Sequence, residues 1–354
     1  MTYHVTIVGV GPVGEAIVSI FKERQFPMDW PPTICATSKR EQMVDGEMLS
    51  VYETSAVALR HSDIVLFAGK EGAKGASVQW SKTAIDAGAF CIDNGSDFRL
   101  DSHVPLVVPE INMDTVTDET RLIASPNCST IQMVMALAPI HREAKVKRVV
   151  VSTYQSVSGW GKAAMEELKK QTPVMMDNSD GVDFDPMIFA QPIAFNYIPH
   201  IDKFTKDGYT KEEYKMINET RKILGDDSIQ ITTTTVRVPV MVGHGESINI
   251  ETEKKLTADD VRELMRNSPG ITLMDDLNTG NPRNDPNERY YPTPLHLEKK
   301  EYRDEVLVGR IREDHTIENG INLWCVADNL RKGAALNVVQ IAERLVERDL
   351  VKKK

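Results

Sequence analysis

A chain of 354 residues is too long for one small core and divides most naturally into two domains. Its excess of ten acidic charges, with Lys352-Lys353-Lys354 as the one basic run, argues against a nucleic-acid partner. No apolar stretch suits a membrane span or a signal peptide, and four dispersed cysteines lack metal-ligand spacing, so we expect a cytoplasmic protein without membrane or metal.

The first third alternates short apolar strands with helical patterns, as in a parallel sheet covered on both faces. Strands are expected at 5–8, 33–36, 63–68 and 89–93, and a helix at 16–24. After the first strand stands Gly9-Val10-Gly11-Pro12-Val13-Gly14, a G-x-G-x-x-G at a strand–turn–helix junction. Glycines there let the backbone approach a pyrophosphate, which sits on the positive end of the helix. The acidic residue that would hold a plain ribose hydroxyl is absent after the second strand. Thr37-Ser38-Lys39-Arg40 stands there instead, two hydroxyls and two cations that suit a ribose phosphate and point to NADP.

Ser125-Pro126-Asn127-Cys128-Ser129-Thr130 precedes an apolar helical run, which puts Cys128 at a helix mouth. The positive end of a helix favours thiolate, so Cys128 is a candidate nucleophile; a small buried residue is the competing reading. Cys35, Cys91 and Cys325 sit inside apolar runs and read as structural.

From Lys147 the texture changes. Segments 147–155, 229–242 and 247–253 are rich in Val, Ile and Thr and suggest a mixed sheet in a second domain. Residues 274–294 read as a long surface loop, and 329–347 as a final helical pattern. His244, between two glycines at a strand end, is a candidate acid–base, although the chain has seven other histidines. Arg237 lies an odd number of residues back, on the opposite strand face unless the Gly243 turn resets the register. Arg99 follows the strand ending at Asp93, and Glu212 and Lys215 share one helix face. Spacing by itself favours reading these last three as solvated surface.

Several stretches carry a resemblance: Ser125 through Gln132, 150–159, 218–224, Arg237-Val238-Pro239-Val240 with His244, and 326–335. Tyr291-Pro292-Thr293-Pro294 and Gly309-Arg310-Ile311-Arg312 belong to the same pattern. In these the chain resembles the aspartate-semialdehyde dehydrogenase family over nearly its whole length.

The resemblance implies an α/β fold, with a Rossmann-type NADP-binding domain (1–127 and 329–354) and an α+β catalytic and dimerisation domain with a mixed sheet (128–328). It implies a homodimer or homotetramer that reduces L-4-aspartyl phosphate to aspartate semialdehyde through a thioester, in lysine, threonine and methionine biosynthesis. Cys128 would be the nucleophile, His244 the acid–base, and Gln155 would orient the intermediate. Arg237 would bind the substrate carboxylate, Glu212 its amino group, and Arg99, Lys215 and Asn127 the phosphate. The cofactor would be held by Gly9, Gly11, Pro12, Val13, Gly14, Thr37, Ser38, Lys39, Arg40, Ser158, Gly159 and Asn329.

The chain departs from the family pattern in three places: a glycine loop one residue shorter that carries Pro12, an altered stretch at 67–77, and Gly95 and Asp97 beside Arg99. N-acetyl-glutamyl-phosphate reductase, with Pro-Gly-Cys-Tyr at its nucleophile, is disfavoured by Pro126-Asn127-Cys128-Ser129. A catalytically silent dimeric paralogue is disfavoured by the presence of both Cys128 and His244.

Overall fold

The computed structural model describes residues 2–69, 72–177, 188–276 and 291–353. It divides into two compact units, Met1–Asn127 with Gly333–Lys354, and Cys128–Lys332. The chain thus re-enters the first unit at Gly333, where the sequence reading put the return at Asn329.

The first unit contains, in chain order, β1 (Val5–Val8), α1 (Pro12–Glu23), β2 (Thr33–Ala36), β3 (Arg40–Val44), β4 (Glu47–Glu53), α2 (Ala56–Leu59), β5 (Ile64–Phe67), α3 (Ala76–Asp86), β6 (Phe90–Asp93), α4 (Pro109–Asn112) and β7 (Leu122–Ala124). Its sheet runs in the order β3-β4-β2-β1-β5-β6-β7. All neighbours are parallel except β3 with β4. Strands β1, β5 and β6 are buried at every position, because helices cover both faces of a parallel sheet and leave no polar side. The order reverses at β1, and the glycine loop leaves the carboxyl end of that strand, where ligands of such sheets bind.

Helix α1 begins at Pro12, four residues before the expected start: proline has no N–H to leave orphaned at the first helical position. Ile17, Val18, Ile20 and Phe21 form its buried stripe and join one core with the apolar face of the chain's last helix, which enters through Leu336, Val339, Ile341 and Leu345. The β3–β4 hairpin was not expected. Its turn, Asp45-Gly46, has φ of +50° and +76° at its two residues, as a two-residue hairpin turn requires.

The second unit contains α5 (Cys128–Ala144), β8 (Val146–Gln155), α6 (Lys162–Asp177), α7 (Lys211–Leu224), β9 (Gln230–Arg237), β10 (His244–Thr252), α8 (Ala258–Arg266), β11 (Ile271–Leu273), β12 (Val306–Asp314) and β13 (Gly320–Ala327). The chain then closes the first unit with α9 (Leu336–Glu347). The second sheet runs β11-β12-β13-β10-β8-β9, with β8/β9 and β11/β12 parallel and the other neighbours antiparallel, so the expected mixed sheet is present. Helix α5 is buried from Ser129 to Ile140, which explains its apolar composition.

The strand expected over 229–242 stops at Arg237, and β10 starts at His244, three residues earlier than expected. Pro239 has no ladder donor, and Gly243 turns the chain at φ +96°. Of the loop expected at 274–294, residues 277–290 lie outside the described part, and Pro294 opens a short 3-10 turn.

Candidate active site

Three neighbouring strands end side by side. Gln155 at the end of β8 pairs with Arg237 at the end of β9, and Tyr154 pairs with Gly245 next to His244 on β10. The parity argument that set Arg237 and His244 on opposite faces therefore lapses, since the turn puts them on different strands. Against these strand ends lies the first residue of α5. Cys128 Sγ is 3.4 Å from His244 Nε2, and of the four cysteines Cys128 alone is not buried.

His244 has no solvent exposure. Its Nδ1 accepts the Ser156 backbone N–H at 3.1 Å. A backbone N–H can only donate, so the proton of the neutral imidazole belongs on Nε2, facing the sulfur. Burial and then the Arg237 guanidinium hold the pKa of His244 down to about 3, with the Gly243 carbonyl opposing. Asn329 braces the same corner: its Oδ1 accepts from Gly243 N–H at 2.9 Å, Ser156 Oγ at 3.0 Å and Ser158 Oγ at 3.1 Å.

Arg237 is buried and donates from a guanidinium N–H to the Ser156 carbonyl at 2.6 Å. Burial lowers its pKa, while Glu212 and Cys128 pull it back up. Gln155 Nε2 donates to Glu212 Oε1 at 3.3 Å. Glu212 sits in the first turn of α7, which Thr210 and Glu213 close as a reciprocal cap. Lys215, one turn on, bridges Glu212 at 3.2 Å and Asp202 at 3.1 Å. Asp202 was not anticipated. Gly159 leaves room beside this cluster, since a Cβ there would lie 3.0 Å from Arg237 and 3.5 Å from His244 Nε2. The second unit thus gathers Cys128, Gln155, Ser158, Gly159, Glu212, Lys215, Arg237, His244 and Asn329 in one contiguous set.

In the first unit the glycine loop fits a dinucleotide. A Cβ on Gly9 would strike the Ala68 backbone at 2.5 Å, and one on Gly14 would strike the Gly9 carbonyl oxygen at 2.0 Å, so both are fixed by packing. A Cβ on Gly11 would meet nothing within 4 Å, and its φ of −79° suits any residue. Protein packing therefore does not require glycine there, and a backbone without a side chain suits the approach of a pyrophosphate. Pro12 and Val13 open the helix behind it. Thr37, Ser38, Lys39 and Arg40 are all exposed past the end of β2, Arg40 opening β3. Gln42 from the hairpin donates to the Val10 carbonyl at 3.0 Å and to Glu15 at 2.9 Å, tying down the loop. Arg99 is buried, with one N–H on the Asn94 carbonyl at 2.9 Å, and Asn127 is buried at the end of this unit. The carboxylate of Asp97 is engaged by Gly72 N–H at 2.9 Å, and Asp93, beside Arg99, is pushed up to about 6 by burial.

Residues 4–119 match the family model "Semialdehyde dehydrogenase, NAD binding domain", and residues 137–332 match "Semialdehyde dehydrogenase, dimerisation domain". Aspartate-semialdehyde dehydrogenase of Aquifex aeolicus is 46% identical over 99% of this chain and 100% of that protein. That of Bacillus subtilis is 41% identical over 98% and 99%. The chain belongs to the aspartate-semialdehyde dehydrogenase family.

The solved aspartate semialdehyde dehydrogenase II of Vibrio cholerae superposes with a TM-score of 0.87 at 41% identity, covering 98% of this chain and 99% of that one. A second structure of that Vibrio protein, at TM-score 0.86 and 40% identity, is its complex with ASA. As a member of the aspartate-semialdehyde dehydrogenase family the chain carries a nicotinamide-dinucleotide domain and a dimerisation domain. Among the described residues no helix is long and apolar enough to cross a membrane. Sequence reasoning missed Ser156, whose hold on His244 Nδ1 includes a backbone N–H that any residue but proline possesses. It also missed Gln42, although Asp45-Gly46 was a readable hairpin signal.

Proposed function

We propose that this family member catalyses the NADPH-dependent reductive dephosphorylation of L-4-aspartyl phosphate to aspartate semialdehyde, reversible with phosphate. The observation that carries this reading is Cys128 at the mouth of a buried helix, 3.4 Å from an imidazole nitrogen that bears its proton toward the sulfur. The helix end and that N–H both favour thiolate. Attack by the Cys128 sulfur on the acyl carbon would break the carbon–phosphate-oxygen bond, release phosphate and leave a thioester. NADPH, when bound, supplies the hydride that takes the thioester carbonyl to the aldehyde level. The Nε2–H of His244 would donate to the oxygen that gains charge, as a neutral imidazole whose low pKa prevents a competing imidazolium. Expulsion of the Cys128 thiolate then frees the aldehyde.

Gln155 would orient the acyl group, with Arg237 on the substrate carboxylate and Glu212 on its ammonium. A guanidinium and a carboxylate at fixed positions suit an amino acid's two charges, and holding both limits the poses from which sulfur attacks. Arg99, Asn127 and Lys215 are proposed for the phosphate. Gly9, Gly11, Pro12, Val13 and Gly14 would hold the pyrophosphate, and Thr37, Ser38, Lys39 and Arg40 the ribose phosphate. A cytoplasmic homodimer is the form in which we expect this enzyme to work.

The deciding assay follows NADPH formation from aspartate semialdehyde, with and without phosphate. Wild type should require phosphate, and Cys128→Ala should lose on the order of 10³-fold or more in rate. A paired Lys39→Ala, Arg40→Ala variant should lose about tenfold or more of its NADP-over-NAD preference. Phosphate-independent turnover, or turnover that survives loss of the thiol, would rule out the acyl-phosphate route.

A further inference from the structure

Directly behind the catalytic pair lies a carboxyl group the proposed chemistry does not use. Glu246 is on β10, two residues beyond His244 and therefore on the same strand face, and it is completely buried. Gln132 is on α5, one turn beyond Cys128, and is buried too. The Gln132 amide reaches three groups. Its Nε2 donates to the His244 carbonyl at 3.3 Å, it lies 3.8 Å from Cys325 Sγ, and the amide is within hydrogen-bonding reach of Glu246. Cys325 donates its S–H to Glu246 Oε2 at 3.6 Å.

Two acceptors remain. Glu246 Oε1 and Gln132 Oε1 are both fully buried, and among the described residues neither has a hydrogen-bond partner. A buried oxygen left without a donor is costly, and a buried carboxylate more so. The amide cannot resolve this by flipping, because the His244 carbonyl is an obligate acceptor and needs the NH₂ group. One proton closes the account. Placed on Glu246 Oε1, it would give Gln132 Oε1 a donor to accept from, while Cys325 S–H serves Oε2.

We propose that Glu246 is held as a neutral acid in a reciprocal carboxyl–amide pair with Gln132, and that this clasp ties the start of β10 to the start of α5, positioning His244 against Cys128. Burial without a cation drives Glu246 well above the usual carboxylate range, in the same direction. Glu246 is a positioning residue, since it acts through His244 and the helix. The inference rests on the reading of Cys128 and His244 as the reacting pair.

The test uses E246Q and E246A in the full-length protein. Glutamine reproduces both donor and acceptor of the protonated acid, so E246Q should keep kcat within about twofold. E246A should lose on the order of 10–100-fold in kcat with little change in KM, because the reacting atoms are misplaced and not the substrate-binding groups. Infrared difference spectra of wild type minus E246Q should contain a protonated-carboxyl C=O stretch that persists at a pH where an ordinary glutamate is ionised. That signature is independent of turnover, and so is the rate at which a small alkylating agent modifies Cys128. An absent stretch, or E246Q as impaired as E246A, would overturn the clasp. A persistent stretch together with full activity in folded E246A would overturn its positioning role, and activity surviving in Cys128→Ala would strike the parent reading instead.

Discussion

A methyl group built on Gly159 would lie 3.0 Å from the Arg237 guanidinium and 3.5 Å from His244 Nε2. Gly159 has no left-handed φ to satisfy, so its backbone accepts alanine. Gly159→Ala should therefore fold normally and lose activity, by about tenfold in kcat/KM, because the added carbon occupies space beside the guanidinium proposed for the substrate carboxylate and beside the imidazole. Unchanged kcat/KM in a protein with wild-type circular dichroism would show that this space is not used. Residue chemistry of this kind was partly legible beforehand. Cys128, His244 and Arg237 announce themselves as a thiol, an imidazole and a guanidinium. The tautomer of His244 was not legible, because a main-chain N–H from Ser156 decides it.

At the scale of elements, the strand–turn–helix around β1 separates two uses of glycine. Gly14 gives α1 its close approach to the loop, and a Cβ there would sit 2.0 Å from the Gly9 carbonyl oxygen. A Cβ on Gly11 would meet no protein atom within 4 Å. Gly14→Ala should thus cost about 1–3 kcal/mol of stability by overpacking. Gly11→Ala should leave the urea midpoint unchanged and weaken NADP binding by about tenfold, since its methyl would stand where the cofactor backbone contact forms. Equal effects of both substitutions in the urea and NADP titrations would contradict this division. Boundaries were harder to read than elements. The apolar texture of 229–242 runs on past Arg237, but Pro239 and the Gly243 turn end the ladder there, and the end of that strand is what brings Arg237 level with Gln155.

For the molecule as a whole, the buried imidazole has a consequence for acid stability. His244 takes up a proton near pH 6.5 when unfolded and only near 3 when folded. Between those values the unfolded chain binds more protons, so this contribution is complete above about 6.5 and declines as the pH falls toward 3. Glu246 works in the opposite sense, so the comparison must be between wild type and His244→Asn. From about pH 7 to about pH 4.5 the wild type should lose roughly 2–3 kcal/mol more than His244→Asn in urea unfolding. Parallel pH profiles would mean that His244 is protonated in the native state. Much of the fold was present in the chain as pattern: buried parallel strands advertise themselves as unbroken apolar runs, and the change of texture near Lys147 marks a second, mixed sheet. The glycine spacing and the helix-mouth cysteine could be read in the same way, because their chemistry depends on neighbours a few residues away. The carboxyl–amide arrangement at Glu246, the Asn329 brace and the level ends of β8, β9 and β10 could not, because each joins groups dozens to hundreds of residues apart. Local sequence specifies which donors and acceptors exist, and only packing decides which of them are sealed from water and must pair with each other.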